Sequence, residues 1–179
     1  MKEPSTTIRR ATLDDAGAIA EVHVASWRTT YPGIVDQPYI DALSVTERAA
    51  AWTRRLAASD DTAPDIFVAT SPQRAIVGFV SGGLIRDRFL AFDAELHAIY
   101  LLESAQRSGI GRRLMREWAG VALGRGLRAA VVRVLAENPA CGFYERLGAE
   151  LLRDSQLVIG GQTYPERWYG WRNLLDLTA

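Results

Sequence analysis

The chain has 179 residues, of which 48% are hydrophobic and 23% charged, and its formal net charge at pH 7 is zero. This length fits one compact domain over residues 1–179, and the balanced charge argues against partners that need a broad basic face, namely nucleic acid and anionic membranes. The single cysteine, Cys141, excludes an internal disulfide. Because residues 1–5 lead into no apolar signal core and no window could span a bilayer, the sequence predicts a soluble, cytoplasmic protein.

The first half of the chain is predicted to form one strand, two helices and three further strands. The first strand covers residues 7–11, and Thr12 with Asp15 has the spacing of a capping box that begins the first helix. A second capping box at residues 44–47 begins the second helix. Short apolar runs then predict strands over residues 66–69, 76–80 and 95–102.

The second half alternates helices and strands. Apolar residues recur at helical spacing from Gly109 onward, at Ile110, Leu114, Met115 and Trp118. A buried strand over residues 129–135, a short helix over 139–147 and two last strands over 151–159 and 163–171 complete the predicted elements. This order indicates one α/β (α+β) domain built around a single sheet.

A turn rich in glycine joins the strand at residues 95–102 to the following helix. Backbone N–H groups at a helix N-terminus have no acceptor within the helix, and the helix dipole adds partial positive charge there. Gly109 and Gly111 carry no side chain, so an anion can approach the backbone closely, while Arg107 and Arg112 add charge at the rim. The pattern therefore indicates phosphate or pyrophosphate binding.

Glycines alone fit a simple turn before a packed helix equally well. A Walker loop is excluded because it requires a lysine that this segment lacks. A dinucleotide-binding fingerprint is excluded because the third glycine, expected near Leu114, is missing.

Residues 106–111, Gln-Arg-Ser-Gly-Ile-Gly, resemble the Gln/Arg-x-x-Gly-x-Gly/Ala signature of the GNAT superfamily of N-acetyltransferases. Residues 95–101 are similar to the central strand of that family, and residues 138–148 to its Asn…Phe-Tyr-Glu segment. The opening residues 8–16 are similar to its first strand and helix. Three motifs in the right order extend the resemblance over nearly the whole chain. It implies a mixed, mostly antiparallel sheet that is flanked by helices and splayed at the central strand, with acetyl-CoA in the cleft.

The resemblance also implies roles for particular residues. Tyr144 would act as general acid towards the departing thiolate, and the Asn138 side chain would face the cofactor. Backbone groups that pair with the pantetheine arm would come from Ile99, Tyr100 and Leu101. Backbone groups that hold the pyrophosphate would come from Arg107, Ser108, Gly109, Ile110, Gly111 and Arg112. The residues alone favour a structural role for Tyr144, packing a short helix on the sheet, and the resemblance reverses that preference.

A base must remove a proton from the attacking amine, and Glu95 is the first candidate. On a regular strand Glu95, His97, Ile99 and Leu101 share one face, where a carboxylate among apolar neighbours has a raised pKa. His97, His23, Glu103 and an ordered water remain alternatives, and Glu95 also fits a solvated strand-end carboxylate.

These features together predict an N-acetyltransferase that transfers acetyl from acetyl-CoA to a primary amine by direct attack in a ternary complex, without a metal. The acceptor is a small-molecule amine or a protein amine, and a homodimer is left open. Two alternatives stay open. One is a protein of the same fold that binds acyl-CoA without turnover, as a sensor or binding module, and the other is a nucleotide-binding protein of another fold.

Overall fold

The computed structural model describes residues 6–86 and 92–179, so the prediction drawn from residues 1–5 lies outside it. The predicted order of long elements is confirmed. The strands are β1 Thr7–Arg10, β2 Asp65–Thr70, β3 Ile76–Leu84, β4 Ala94–Leu101, β5 Ala130–Leu135, β6 Glu150–Ile159 and β7 Gln162–Trp171. The α-helices are α1 Ala16–Thr30, α2 Gln37–Asp41, α3 Val45–Ala57, α4 Ile110–Gly124 and α5 Ala140–Arg146. None of these helices has both the length and the apolar character needed to cross a bilayer.

The seven strands form one sheet in the order β1-β2-β3-β4-β5-β7-β6. Every neighbouring pair is antiparallel except β4 and β5, which are parallel. Ile19 of α1 and Trp52 of α3 pack on one face of the sheet, whereas Leu114 and Trp118 of α4 pack on the other. The predicted mixed, mostly antiparallel sheet flanked by helices is therefore confirmed.

The parallel strands β4 and β5 are paired over only a short stretch. Residues 94–96 of β4 lie beside residues 130–132 of β5. From Ala98 to Leu101, β4 pairs with β3 alone among the described strands. The two central strands thus diverge after Leu96, which confirms the predicted splay and leaves a gap in the middle of the sheet.

A β-bulge lies at the start of this gap. Ser81 of β3 pairs with Ala98, but the next residue of β3, Gly82, pairs with Leu96. His97 is therefore the extra residue of the bulge, and the alternation of side chains along β4 is interrupted there.

The bulge overturns the prediction that Glu95, His97, Ile99 and Leu101 share one face. Leu96 packs in the cluster with α4, so its neighbour Glu95 lies on the opposite face, which carries α1 and α3. Beyond the bulge, Ile99 and Leu101 pack with the α4 cluster. The acidic side chain and the two apolar ones are therefore separated by the sheet.

Local capping interactions fix the start of the two helices on the α1 face. The Asp15 carboxylate accepts from the Thr12 N–H at 2.7 Å and from an Arg9 Nη1 at 2.7 Å. The hydrogen bond from Arg9 holds the pKa of Asp15 down at about 2, against the opposing effect of burial. Ser44 Oγ accepts from the Glu47 N–H at 3.2 Å and caps α3. The helix start predicted at Ser44 is confirmed, and the one predicted at Thr12 is the start of the 3-10 helix Leu13–Asp15, which leads into α1.

Candidate active site

The start of α4 presents backbone N–H groups with no partner in the helix. The first N–H donated within the helix is that of Arg113, which bonds the Gly109 carbonyl at 3.2 Å. The N–H groups of Ile110, Gly111 and Arg112 precede it, and no acceptor in residues 6–86 or 92–179 takes them. This end of α4 is therefore open to an anion, at the position where the sequence predicts the pyrophosphate.

The two glycines of this turn have structural reasons beyond ligand access. Gly109 has a φ of 81°, in the left-handed region that other residues rarely adopt. A Cβ on Gly111 would lie 3.3 Å from two ring carbons of Phe143. Gly109 thus makes the turn, and Gly111 lets α5 pack closely on the first turn of α4.

The rest of the loop lies between the 3-10 helix Glu103–Ala105 and α4. Arg107 has a positive φ of 57°, and the Ser108 hydroxyl donates to the Ala105 carbonyl at 2.6 Å. The side chains of Arg107 and Arg112 are exposed. The loop therefore combines an ordered backbone with two guanidinium groups that a charged ligand can reach.

The backbone edge of β4 facing the gap is open at alternate residues. The Leu102 N–H donates to the Val77 carbonyl of β3 at 2.9 Å. Because hydrogen-bonded pairs alternate along antiparallel strands, Tyr100 also directs its N–H and C=O at β3, while Ile99 and Leu101 direct theirs into the gap. The predicted pantetheine contacts stay predictions, and within β4 the backbones of Ile99 and Leu101 are better placed for them than that of Tyr100.

The Leu101 carbonyl is already bonded. It accepts from Ser26 Oγ of α1 at 3.1 Å and from Gln106 Nε2 at 3.2 Å. These bonds tie α1, β4 and the loop together, and they leave the Leu101 N–H as the group that can reach a ligand. Ser26 is a residue that the sequence did not single out, since its partner lies 75 positions away.

A hydrogen-bonded set of side chains crosses the gap on the α1 face. Trp27 Nε1 donates to the Tyr100 hydroxyl at 3.1 Å, and Asn138 Nδ2 donates to the Tyr31 hydroxyl at 3.0 Å. The ring centroids of Trp27 and Tyr31 lie 4.3 Å apart, so the two hydrogen bonds adjoin each other. This set connects β4, through the end of α1, with the turn that follows β5.

Asn138 has both ends of its side-chain amide engaged with the protein. Nδ2 contacts Tyr31, and Oδ1 accepts from the Ala140 N–H at 2.8 Å, which starts α5. The geometry gives Asn138 a capping and bridging role, and its predicted contact with the cofactor stays a prediction.

Tyr144 lies on α5 and is buried. Its ring centroid lies 5.5 Å from that of Phe143, 6.4 Å from that of Tyr169 and 5.9 Å from that of Trp171. Burial and the neighbouring Tyr100 raise the pKa of Tyr144 well above its usual value. The phenol therefore stays protonated across the neutral range, which is the state a proton donor requires.

Glu95 is buried but paired. Its carboxylate accepts from Arg86 Nε at 2.9 Å, forms a second contact with Arg86 Nη2, and lies 3.5 Å from Arg133 Nε. Burial raises the pKa of Glu95, but the hydrogen bonds and charge of Arg86 outweigh it and leave the pKa below its ordinary value. The predicted raised pKa is therefore wrong, and the role of Glu95 as base stays a prediction.

The other candidate bases are neutral or exposed. Burial and the charge of Arg86 lower the pKa of His97 to about 4. Burial lowers the pKa of His23 to about 3, and its Nδ1 accepts from Trp52 Nε1 at 3.2 Å. Glu103 is exposed in its 3-10 helix. Nowhere in the described ranges do three His, Cys, Asp or Glu side chains group as metal ligands would.

We expect Glu95→Gln to lower the free energy of unfolding by about 1–3 kcal/mol near pH 7, because two arginines lose their counter-charge. Because the Arg86 side chain is half-exposed and water screens its charge, we expect the lower end of this range. A carboxylate whose pKa is lowered by folding stabilises the protein above its ordinary value of 4.5, and this contribution is lost as the pH falls through the lowered pKa. Urea unfolding of both proteins at about pH 7 and about pH 3.5 measures this, and the difference should shrink at the lower pH. Equal stability near pH 7 would contradict the pairing.

The model of the acetyltransferase (GNAT) family matches residues 23–149. The chain is 37% identical over 171 residues to an uncharacterized N-acetyltransferase, YuaI, of Bacillus subtilis, covering 96% of this chain and 95% of the relative. It is 24% identical over 147 residues to a spermidine N(1)-acetyltransferase of Thermoplasma acidophilum, covering 80% of this chain and 88% of that protein. The crystal structure of a PaiA N-acetyltransferase from Thermoplasma acidophilum in complex with coenzyme A has the same fold, with a TM-score of 0.72, 22% identity and coverage of 91% and 98%.

Proposed function

Because this chain belongs to the GNAT family of acetyltransferases, we propose that it transfers an acetyl group from acetyl-CoA to a primary amine by direct attack within a ternary complex. Acetyl-CoA supplies the acetyl group as an activated thioester. The protein holds the thioester and the amine together and stabilises the negative charge that develops on the thioester oxygen. It also removes a proton from the amine and supplies one to the departing thiolate.

The observation that carries this proposal is the set of free N–H groups at the start of α4, beside the gap between β4 and β5. Ile110, Gly111 and Arg112 can donate to the pyrophosphate, with Arg107 and Arg112 at the rim. A ligand held there has a path between the diverging strands into the middle of the sheet.

Along that path, Ile99 and Leu101 offer backbone groups that can pair with the amides of pantetheine, as an added strand would. The Leu101 N–H is the donor that we assign to the thioester oxygen, because its carbonyl is held by Ser26 and Gln106. Ser26 and Gln106 hold the following peptide, between Leu101 and Leu102, and so restrict the backbone around Leu101.

In the reaction the amine nitrogen forms a bond to the acetyl carbon, and the bond between that carbon and sulfur breaks. Tyr144 donates a proton to the departing thiolate. Its place on α5, which packs through Phe143 on the first turn of α4, supports this role.

The amine must lose a proton before or during attack. Glu95 stays the predicted base, but the arginine pairs that lower its pKa make it a weak one. We expect it to act through a water rather than by holding the proton itself. Glu95→Gln therefore tests the role only when single-turnover rates are compared at low pH, where most of the amine is protonated.

The experiment is release of free CoA thiol from acetyl-CoA across a panel of amines, with a reaction without amine as the baseline. The panel contains a polyamine, an aminoglycoside, an amino acid and a peptide with a free N-terminus. A polyamine is included because one relative is named a spermidine acetyltransferase. We expect thiol release well above the baseline with at least one of these classes.

Two other results separate the alternatives. Calorimetric binding of acetyl-CoA without thiol release for any amine would favour a binding module. Thermal stabilisation by ATP or NAD, but not by acetyl-CoA, would contradict the placement of the cofactor at α4.

A further inference from the structure

A buried carboxylate on β7 is not used by the reaction as described. Glu166 lies opposite Leu135 of β5 and Ser155 of β6, on the face of the sheet that carries α1. Tyr164 and Trp168 are two residues away on either side, so all three side chains lie on the same face of β7. Leu135 packs with Tyr31 and Tyr164, which places Glu166 beside the aromatic residues next to the gap.

Glu166 is only 4% exposed, and its carboxylate accepts hydrogen bonds from uncharged donors. Its Oε2 accepts from Ser155 Oγ at 2.6 Å and from Trp168 Nε1 at 3.2 Å. Among the residues that the structure describes, none forms an ion pair with it.

The nearby guanidinium groups are directed elsewhere. Arg133 and Arg153 lie over the Trp168 ring, with 5.3 and 4.2 Å from the guanidinium carbon to the ring centroid, and Arg133 also contacts Glu95. Carboxylates this deeply buried almost always have a cationic partner, since taking the charge out of water is costly. None of the residues in 6–86 and 92–179 supplies the cation that the burial of Glu166 calls for.

We propose that Glu166 binds a second ammonium group of the acceptor, so that the preferred substrates are diamines or longer polyamines. This inference rests on the proposed function, because it takes the α1 side of the gap as the acceptor side. Tyr164, which is partly buried on the same face of β7, would contact the methylene chain between the two nitrogens.

Strand spacing explains why the partner is a second nitrogen and not the reacting one. The reacting nitrogen must meet the thioester in the gap between β4 and β5. Glu166 is on β7, the strand on the other side of β5. Neighbouring strands are about 4.8 Å apart, so Glu166 lies roughly one strand spacing beyond the wall of the gap. That offset fits a nitrogen a few carbon atoms away from the reacting one.

The test measures binding, so that it does not depend on turnover. Protein saturated with CoA is titrated calorimetrically with 1,4-diaminobutane and with n-pentylamine, which has the same number of heavy atoms but one nitrogen. We expect wild type to bind the diamine roughly 10- to 100-fold more tightly, the range of a hydrogen-bonded charge pair. Glu166→Gln keeps the shape of the side chain and should abolish this preference.

Ser155→Ala is the matched control, since it removes a donor to Glu166 but leaves the carboxylate, and it should keep the diamine preference. A wild type without that preference, including one that binds neither amine, overturns the inference even if Glu166→Gln does not fold. A preference that survives in folded Glu166→Gln also overturns it. Failure of the proposed function would look different, because diamine binding would persist while no amine releases thiol.

Discussion

Tyr144→Phe should lower the single-turnover rate of acetyl transfer by roughly 10²–10⁴-fold, the usual contribution of a positioned general acid. The substitution deletes one hydroxyl from a ring packed against Phe143, Tyr169 and Trp171, so we expect the fold to survive. The affinity for acetyl-CoA should change little, because the lost interaction matters mainly in the transition state. Single-turnover rates are the proper measure, since product release can limit steady-state turnover.

Tyr169→Phe is the matched control for this experiment. Tyr169 is a neighbouring buried tyrosine whose hydroxyl donates to the Glu145 carboxylate at 2.7 Å. Its loss removes a phenolic hydroxyl from the same aromatic cluster, but not from the reaction we propose. The acid assignment fails if Tyr144→Phe retains the full single-turnover rate with a good amine, or if both variants lose the same factor. Tyr144 would then be a packing residue.

The second large effect concerns the backbone at the start of α4. Arg112→Gln and Arg112→Pro both remove the guanidinium group, but only proline also removes the backbone N–H. We expect the proline variant to bind acetyl-CoA roughly 10- to 100-fold more weakly than the glutamine variant, the range for a hydrogen bond to a charged group. Proline is tolerated in the first turn of a helix, and the preceding Gly111 has no Cβ to clash with its ring.

A shortened donor separates this explanation from general damage to the site. S-acetylpantetheine has the thioester and the pantetheine arm but no pyrophosphate. We expect calorimetry to show the difference between the two Arg112 variants with acetyl-CoA, and no difference with S-acetylpantetheine. Equal affinity of the two variants for acetyl-CoA would contradict the proposal that the pyrophosphate binds the backbone N–H groups at the start of α4.

Local signals in the sequence were sufficient for most of the fold. The Thr12 and Ser44 caps, the helical spacing after Gly109 and the apolar runs predicted elements that the structure contains. The five-residue helix α2 has too few turns to produce a periodic pattern, so it was missed. The bulge at His97 was missed for a similar reason, because one inserted residue changes the face of a strand without changing its composition.

The site was harder to predict because its contacts join distant parts of the chain. Arg86, which lowers the pKa of Glu95, approaches from the connection after β3. Asn138 and Tyr31 are 107 positions apart, so nothing local to either residue indicates their hydrogen bond. Glu166 had a weak signal, a carboxylate between two aromatic residues on one face of a predicted strand. That no described residue forms an ion pair with it is evident only from its surroundings in the sheet.

The most direct test of the account follows the acetyl group itself. Acetyl-CoA labelled with carbon-13 at the carbonyl is mixed with the protein and the best amine of the panel, and the products are followed by NMR. The account predicts an amide carbonyl signal, bonded to the nitrogen of the amine, that grows in equal amount with free CoA. Labelled acetate in place of the amide, or unchanged acetyl-CoA despite measurable binding, would contradict it.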